Sequence, residues 1–120
     1  MKRNWELIRK ILLAVEQLAV EEQAVAANDI PGFAPEVVNY HLQLLNDAGL
    51  VKGSCSTYLD GRVECFARQL TWQGHEFLDK IRSQGMWNKT LSVLRDKGLD
   101  LSFDTIKAAA AQVAANIIGS

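Results

Sequence analysis

The chain has 120 residues, 48% of them apolar and 22% charged, with a formal net charge of −1. That length suits one modest core, and the composition excludes wholesale disorder. The near-neutral charge argues against a generic polyanion binder, although a local basic patch stays open.

Charge is unevenly placed. Residues 1–20 carry Lys2, Arg3, Arg9 and Lys10 against Glu6 and Glu16, whereas residues 21–50 carry Glu21, Glu22, Asp29, Glu36 and Asp47. No Lys or Arg occurs from Ile11 through Val51. The apolar runs are too short to cross a bilayer. Glu6, Arg9, Lys10 and Glu16 break up any signal-peptide core, so a cytoplasmic protein is expected. Two cysteines make no disulfide framework, and a reducing compartment fits them.

Trp5, Ile8, Ile11, Leu12, Val15, Leu18 and Ala19 follow helical spacing and predict a first helix from about Asn4 to about Val20. Glu21 to Ala27 offers a second, short helix, reduced or absent. Asn28-Asp29-Ile30-Pro31-Gly32 reads as a turn. A further helix starts at Pro35, which suits a first helical position because its missing N–H has no partner there anyway. Phe33 and Val38 have the spacing of a hydrophobic staple, while Ala34 provides no capping oxygen. Gly49 ends this helix, with Leu50 folding back on Leu45.

Val51–Tyr58 and Arg62–Leu70 read as strands joined by a two-residue turn at Asp60-Gly61. In that register Tyr58 faces Val63 and Cys55 faces Phe66. Cys55 and Cys65 then point to opposite faces, and no internal disulfide is expected. Thr71 caps the next helix, which continues through Leu78 and Ile81 until Gly85 interrupts it. Trp87, Leu91 and Leu94 begin a short amphipathic stretch closed by Gly98. Ser102 caps a last helix with Leu101 and Ile106 as staple partners and a stripe of Ile106, Ala110, Val113 and Ile117. Its six alanines leave a smooth surface, either for the domain's own core or for a second copy of the chain, and a homodimer through this helix is expected.

Several blocks carry a family resemblance. Met1-Lys2-Arg3, Leu7-Ile8-Arg9-Lys10-Ile11-Leu12, Tyr40-His41-Leu42, Ala48-Gly49-Leu50 and Leu70-Thr71-Trp72-Gln73-Gly74-His75-Glu76-Phe77-Leu78-Asp79 resemble an uncharacterised bacterial and prophage family, domain-of-unknown-function family 2513. The resemblance runs nearly the whole length. It implies a winged-helix-like fold in a mobile-element setting, with no established activity and no catalytic residues.

The expected fold class is therefore α+β and mostly helical. It comprises a winged helix-turn-helix core with a two-stranded β-hairpin wing over residues 1–84 and a C-terminal helical extension over residues 85–120. Helix 35–48 takes the place of a recognition helix. Val37, Val38, Leu42, Leu44, Leu45 and Ala48 share one arc of it, with His41 inside that arc as a packed residue. Glu36, Asn39, Tyr40, Gln43, Asn46 and Asp47 share the other. Asn39 and Gln43 have the chemistry to pair with adenine edges. Affinity for DNA nevertheless comes largely from cations on phosphates, and this face has none.

Asn39, Tyr40, Gln43 and Asp47 are therefore the expected contact face of a non-enzymatic regulatory or protein-interaction module. The alternative is a DNA-binding transcriptional regulator contacting phosphates through Lys52, Arg62 and Arg68 of the wing, helped by Lys2, Arg3, Arg9 and Lys10. No catalytic constellation, cofactor or metal is expected. His75 lacks a second histidine at position 79, which is Asp79, and the Cys55–Cys65 spacing fits no zinc pattern. No cation or helix start is placed to activate a cysteine. Trp5, Trp72 and Trp87 fall at apolar stripe positions, so core packing is expected of them, with anchoring of a partner as the other role.

Overall fold

The computed structural model describes residues 1–20 and 23–119. It is α+β, with five α-helices and one two-stranded antiparallel hairpin: α1 (Trp5–Glu16), α2 (Pro35–Asp47), β1 (Val51–Thr57), β2 (Val63–Leu70), α3 (Trp72–Ile81), α4 (Gln84–Asp96) and α5 (Phe103–Gly119). Two compact units divide the chain at 1–75 and 76–120, a boundary that falls inside α3.

In the first unit, α1 starts where Asn4 Oδ1 accepts the Leu7 N–H at 3.1 Å, a side-chain cap on an otherwise orphaned donor. Leu7, Ile8, Ile11, Leu12 and Val15 form its buried stripe. The helix ends at Glu16, short of the expected Val20. Leu18 is only half-buried and Ala19 exposed, so the apolar stripe that stabilises a helix by packing has lost its partner there.

No second helix follows in the described part of 21–27; Glu21 and Glu22 lie outside the described residues. Val25 instead makes a two-way antiparallel bridge with Ala67, its N–H donating to the Ala67 carbonyl at 2.8 Å and its carbonyl accepting at 3.0 Å. A β-branched residue whose backbone pairs with a strand has no reason to turn helical. What remains of the expected helix is one 3-10 turn, Ala27–Asp29, where Asp29 Oδ2 accepts the Ala26 N–H at 2.8 Å.

Helix α2 begins with Pro35 at its first turn and with no side-chain cap from Ala34. It stops at a Schellman arrangement. Gly49 has φ +73°, and the Leu50 N–H reaches the Leu45 carbonyl at 3.0 Å. Val38, Leu42 and Leu45 enter the core with His41, which is fully buried. The His41 ring joins two helices. Nδ1 donates to the Val37 carbonyl at 2.8 Å, and Nε2 accepts the Asn4 N–H at 2.8 Å. These partners define the Nδ1–H tautomer. The packed position expected of His41 is the observed one, and its bond to Asn4 fixes the start of α1.

The hairpin differs from expectation by one residue. Its loop is Leu59-Asp60-Gly61, closed by the Tyr58 N–H to the Arg62 carbonyl at 2.8 Å and the Gly61 N–H to the Tyr58 carbonyl at 2.9 Å. Gly61 takes φ +86°, the left-handed position of a three-residue hairpin loop. Tyr58 therefore faces Arg62, and Cys55 faces Cys65. Directly opposed residues share a face. The two cysteines form a disulfide with Cα atoms 4.1 Å apart, which overturns the opposite-face reading and the expectation of no internal disulfide. A bulge between Lys52 and Gly53 then restores the other register, so that Val51 faces Leu70.

Thr71 caps α3, its Oγ1 accepting the Gly74 N–H at 3.0 Å and donating to the Gly49 carbonyl at 2.6 Å. Gly74 is the point of close approach, because a Cβ there would collide with the Leu50 carbonyl. Trp72, two residues earlier, lies roughly 200° around the helix and points outward. It is 77% exposed, contrary to the core position expected of it, while Trp5 and Trp87 are buried.

In the second unit, the chain breaks at Arg82-Ser83, not at Gly85. Ser83 caps α4 by accepting the Met86 N–H at 3.0 Å, and Gly85 sits in the first turn. Ser102 caps α5, accepting the Thr105 N–H at 3.2 Å. Ile106, Ala109, Ala110 and Val113 of α5 are buried, and α5 packs along α4. Ile117, assigned to that stripe by its spacing, is 51% exposed.

Two substitutions probe this frame. His41→Ala is expected to lower stability by about 3 kcal/mol, since it leaves a cavity and an orphaned Asn4 N–H, read as a shifted urea midpoint. Gly74→Ala is expected to cost about 1–3 kcal/mol by pushing α3 off Leu50, whereas Gly85→Ala, at a position with open space, is expected to be neutral or stabilising.

Candidate functional site

Three faces run along α2. Val38, His41, Leu42 and Leu45 face the core. Asn39 and Asn46 face β2. Asn39 Nδ2 donates to the Val63 carbonyl at 2.5 Å, and Asn39 Oδ1 accepts the Cys65 N–H at 2.8 Å. Asn46 Nδ2 donates to the Leu42 carbonyl at 2.9 Å and, longer, to the Phe66 carbonyl at 3.5 Å. Glu36, Tyr40, Gln43 and Asp47 share the third stripe by their three- and four-residue spacing. Glu36 and Asp47 are exposed, Tyr40 and Gln43 half-buried. Tyr40 also sets its ring edge-on to His41, with centroids 5.8 Å apart.

The four residues assigned to the contact face thus divide. Tyr40, Gln43 and Asp47 lie together, with Glu36 extending the stripe. Asn39 stands apart, its amide occupied on both ends by backbone of β2. Residue type alone does not distinguish Asn39 from Gln43. The signal for an internal role lay in the seven-residue interval from Asn39 to Asn46, which places both on one side of the helix.

The cations of the alternative site also separate. Lys52 and Arg68 are exposed at the base of the hairpin, with Arg68 the extra residue of the bulge. No ion pair among the described residues involves either. Arg62 is at the far end, about 20 Å from Lys52 along the strands at 3.3 Å per residue. It is held in a cluster at the tip. Its Nε lies 3.2 Å from Asp60, a terminal nitrogen lies 3.9 Å from Glu64, and its guanidinium stands 5.0 Å over the Tyr58 ring. Tyr58 donates its hydroxyl to Glu64 at 3.0 Å. That hydrogen bond and the negative charge of Glu64 hold the phenol above its ordinary pKa. Two carboxylates against one guanidinium leave the tip with a net negative charge. Leu59, at its apex, is fully exposed.

Of the amino-terminal cations, Lys2, Arg3 and Lys10 are exposed. Arg9 is buried, 3.8 Å from Glu6, which removes it from the exposed basic set. Arg3 stands 5.1 Å over the Trp5 ring, and the Lys10 ammonium 5.4 Å from the Phe33 ring. His75 is exposed and His41 buried. Among the described residues no three His, Cys, Asp or Glu side chains gather to hold a metal, and no helix is long and apolar enough to cross a membrane.

Comparison with known proteins gives a family without an assigned activity. An uncharacterized protein of Haemophilus influenzae is 45% identical over 118 residues, which cover 98% of this chain and 96% of that protein. No solved structure matches. The family model described as Hypothetical protein (DUF2513) matches residues 2–100, from ahead of α1 to beyond the end of α4. The chain belongs to this DUF2513 family.

Proposed function

We propose that the first unit is a winged-helix module that acts without catalysis, by binding another protein as part of a regulatory system. The chain order supports the winged-helix reading: α1, a bridging residue at Val25, a reduced turn, α2 in the recognition position, and a hairpin wing. The contact surface is the outer stripe of α2, Glu36, Tyr40, Gln43 and Asp47. The observation that carries this reading is the division of the α2 polar residues. Asn39 is used up inside the fold, and the stripe left outside bears two exposed carboxylates and no cation. Phosphates would be repelled where a recognition helix should meet them. A protein surface with basic and aromatic groups would match the same stripe.

DNA binding is the second reading, favoured by one observation: Lys52 and Arg68 are exposed beside each other at the hairpin bulge. In that mode the base of the wing, not α2, would lie on the backbone.

One set of variants separates the two. Glu36→Arg/Asp47→Arg is expected to leave the thermal melt of the protein unchanged and to abolish capture of the cognate partner by crosslinking from the native cell. The wild-type chain is expected to give no retardation of random duplex DNA at moderate salt. Retardation that fades with salt, with a slope reduced by about two units in Lys52→Ala/Arg68→Ala, would replace the protein-binding reading with the DNA-binding one.

A further inference from the structure

We infer that Cys55 and Cys65 form a thiol–disulfide exchange site for low-molecular-weight thiols and disulfides, with Cys55 the sulfur that carries the mixed disulfide. The state of the pair sets how firmly the hairpin tip is held. The exchange chemistry is the same whether the module binds protein or DNA.

Access to the two sulfurs is unequal. Cys55 lies on β1, a strand exposed at every position after Val51. Cys65 is 1% exposed, and its own N–H is held by Asn39. A small thiolate therefore reaches the Cys55 sulfur. It forms a new S–S bond there, and the Cys65 sulfur departs as thiolate and takes a proton. A second thiolate then attacks the small-molecule sulfur of the mixed disulfide and releases Cys55 as a thiol. Two small thiols become one small disulfide, and one protein disulfide becomes two protein thiols. The reverse sequence, starting from the small disulfide, closes the pair again. Exposed disulfides are the ones that undergo such exchange.

The location gives the exchange a mechanical consequence. The bond closes the loop from Ser56 to Glu64, which includes the whole tip. On the β2 side this rung is clamped to α2 through Asn39. On the β1 side no core packing supports it, and the tip ion pairs are solvent-exposed and weak. A two-stranded ribbon without a packed face is marginal in water. The disulfide therefore adds a covalent rung to the ladder that joins the unsupported strand to the supported one. Reduction leaves the tip end of β1 held by the ladder alone, while Cys65 stays docked under Asn39.

The test equilibrates the full chain in graded mixtures of reduced and oxidised glutathione, quenches in acid, and reads the pair by alkylation and mass. The expected result is a reversible transition between dithiol and disulfide within the glutathione range. A pair that stays oxidised in the most reducing mixture would be a permanent staple, and a pair that never oxidises would be no pair at all; either overturns the inference. With oxidised glutathione, Cys65→Ser is expected to form its mixed disulfide at Cys55 at least about tenfold faster than Cys55→Ser does at Cys65. Equal rates would overturn the assignment of Cys55. Hydrogen exchange of the wild-type chain, which requires no variant to fold, is expected to be roughly tenfold or more faster from Ser56 to Glu64 after reduction, with α1 little changed. Equal exchange in the two states would overturn the mechanical link.

Discussion

The side-chain amide of Asn39 sits where α2 meets the sheet, and the arrangement of the first unit depends on it. Its two ends match a backbone acceptor and a backbone donor two residues apart on β2, the Val63 carbonyl and the Cys65 N–H. β2 already pairs with β1 on one edge and meets Val25 through Ala67 on the other. Asn39 supplies partners to this outer edge of β2 on the tip side of the Val25 bridge. A buried backbone group without a partner costs about as much as a lost hydrogen bond. A leucine at this position would pack well and still leave two such groups unpaired.

His41 repeats the device at the other end of the unit. Its ring closes on the Asn4 N–H, a donor at the start of α1 that no helical carbonyl can reach. α2 consequently satisfies neighbours on two sides with polar side chains while filling the core with Val38, Leu42 and Leu45 on the side between. This explains how a helix with so many polar residues keeps a small outer stripe. Its polarity is largely internal currency for backbone groups, and only Glu36, Tyr40, Gln43 and Asp47 remain for anything outside.

Elements with stereochemical punctuation were legible in the sequence. Gly49 with Leu50, Thr71 and Ser102 announce helix ends through groups that must find a partner within a few residues, and they do so as read. The α+β class and the hairpin followed from such local signals. The hairpin register did not, because Asp60-Gly61 serves a two-residue loop and the end of a three-residue one equally well. That single residue decides whether Cys55 meets Phe66 or Cys65, since one step of register turns a side chain to the other face. The division of the candidate site was hidden for a related reason. Asn39 and Gln43 are chemically alike, and only the position of β2, a long-range fact, assigns one inward. Trp72 misled because helical spacing places it on a stripe, whereas the close contact is made by Gly74, which has no side chain to signal it.

Arg62 looked like a wing cation, yet it sits among Asp60, Glu64 and the Tyr58 ring, which satisfy it locally. Each pair is weak alone, and a phosphate could compete for the guanidinium. But it would have to approach a tip whose two carboxylates outnumber that one charge, next to a helix whose outer stripe is acidic as well. Arg9 is withdrawn into the core, and Arg3 and Lys10 lie against aromatic rings. Of the exposed cations of the hairpin, Arg62 at the tip is matched by Asp60 and Glu64, and Lys52 and Arg68 lie at its base, about six residues from the tip. A duplex held at two points on the base would face like charge at the tip. A protein partner escapes that conflict, because it can bring cations to the helix stripe and an apolar surface to Leu59. The fold places these two features on elements joined by the Asn39 hydrogen bonds.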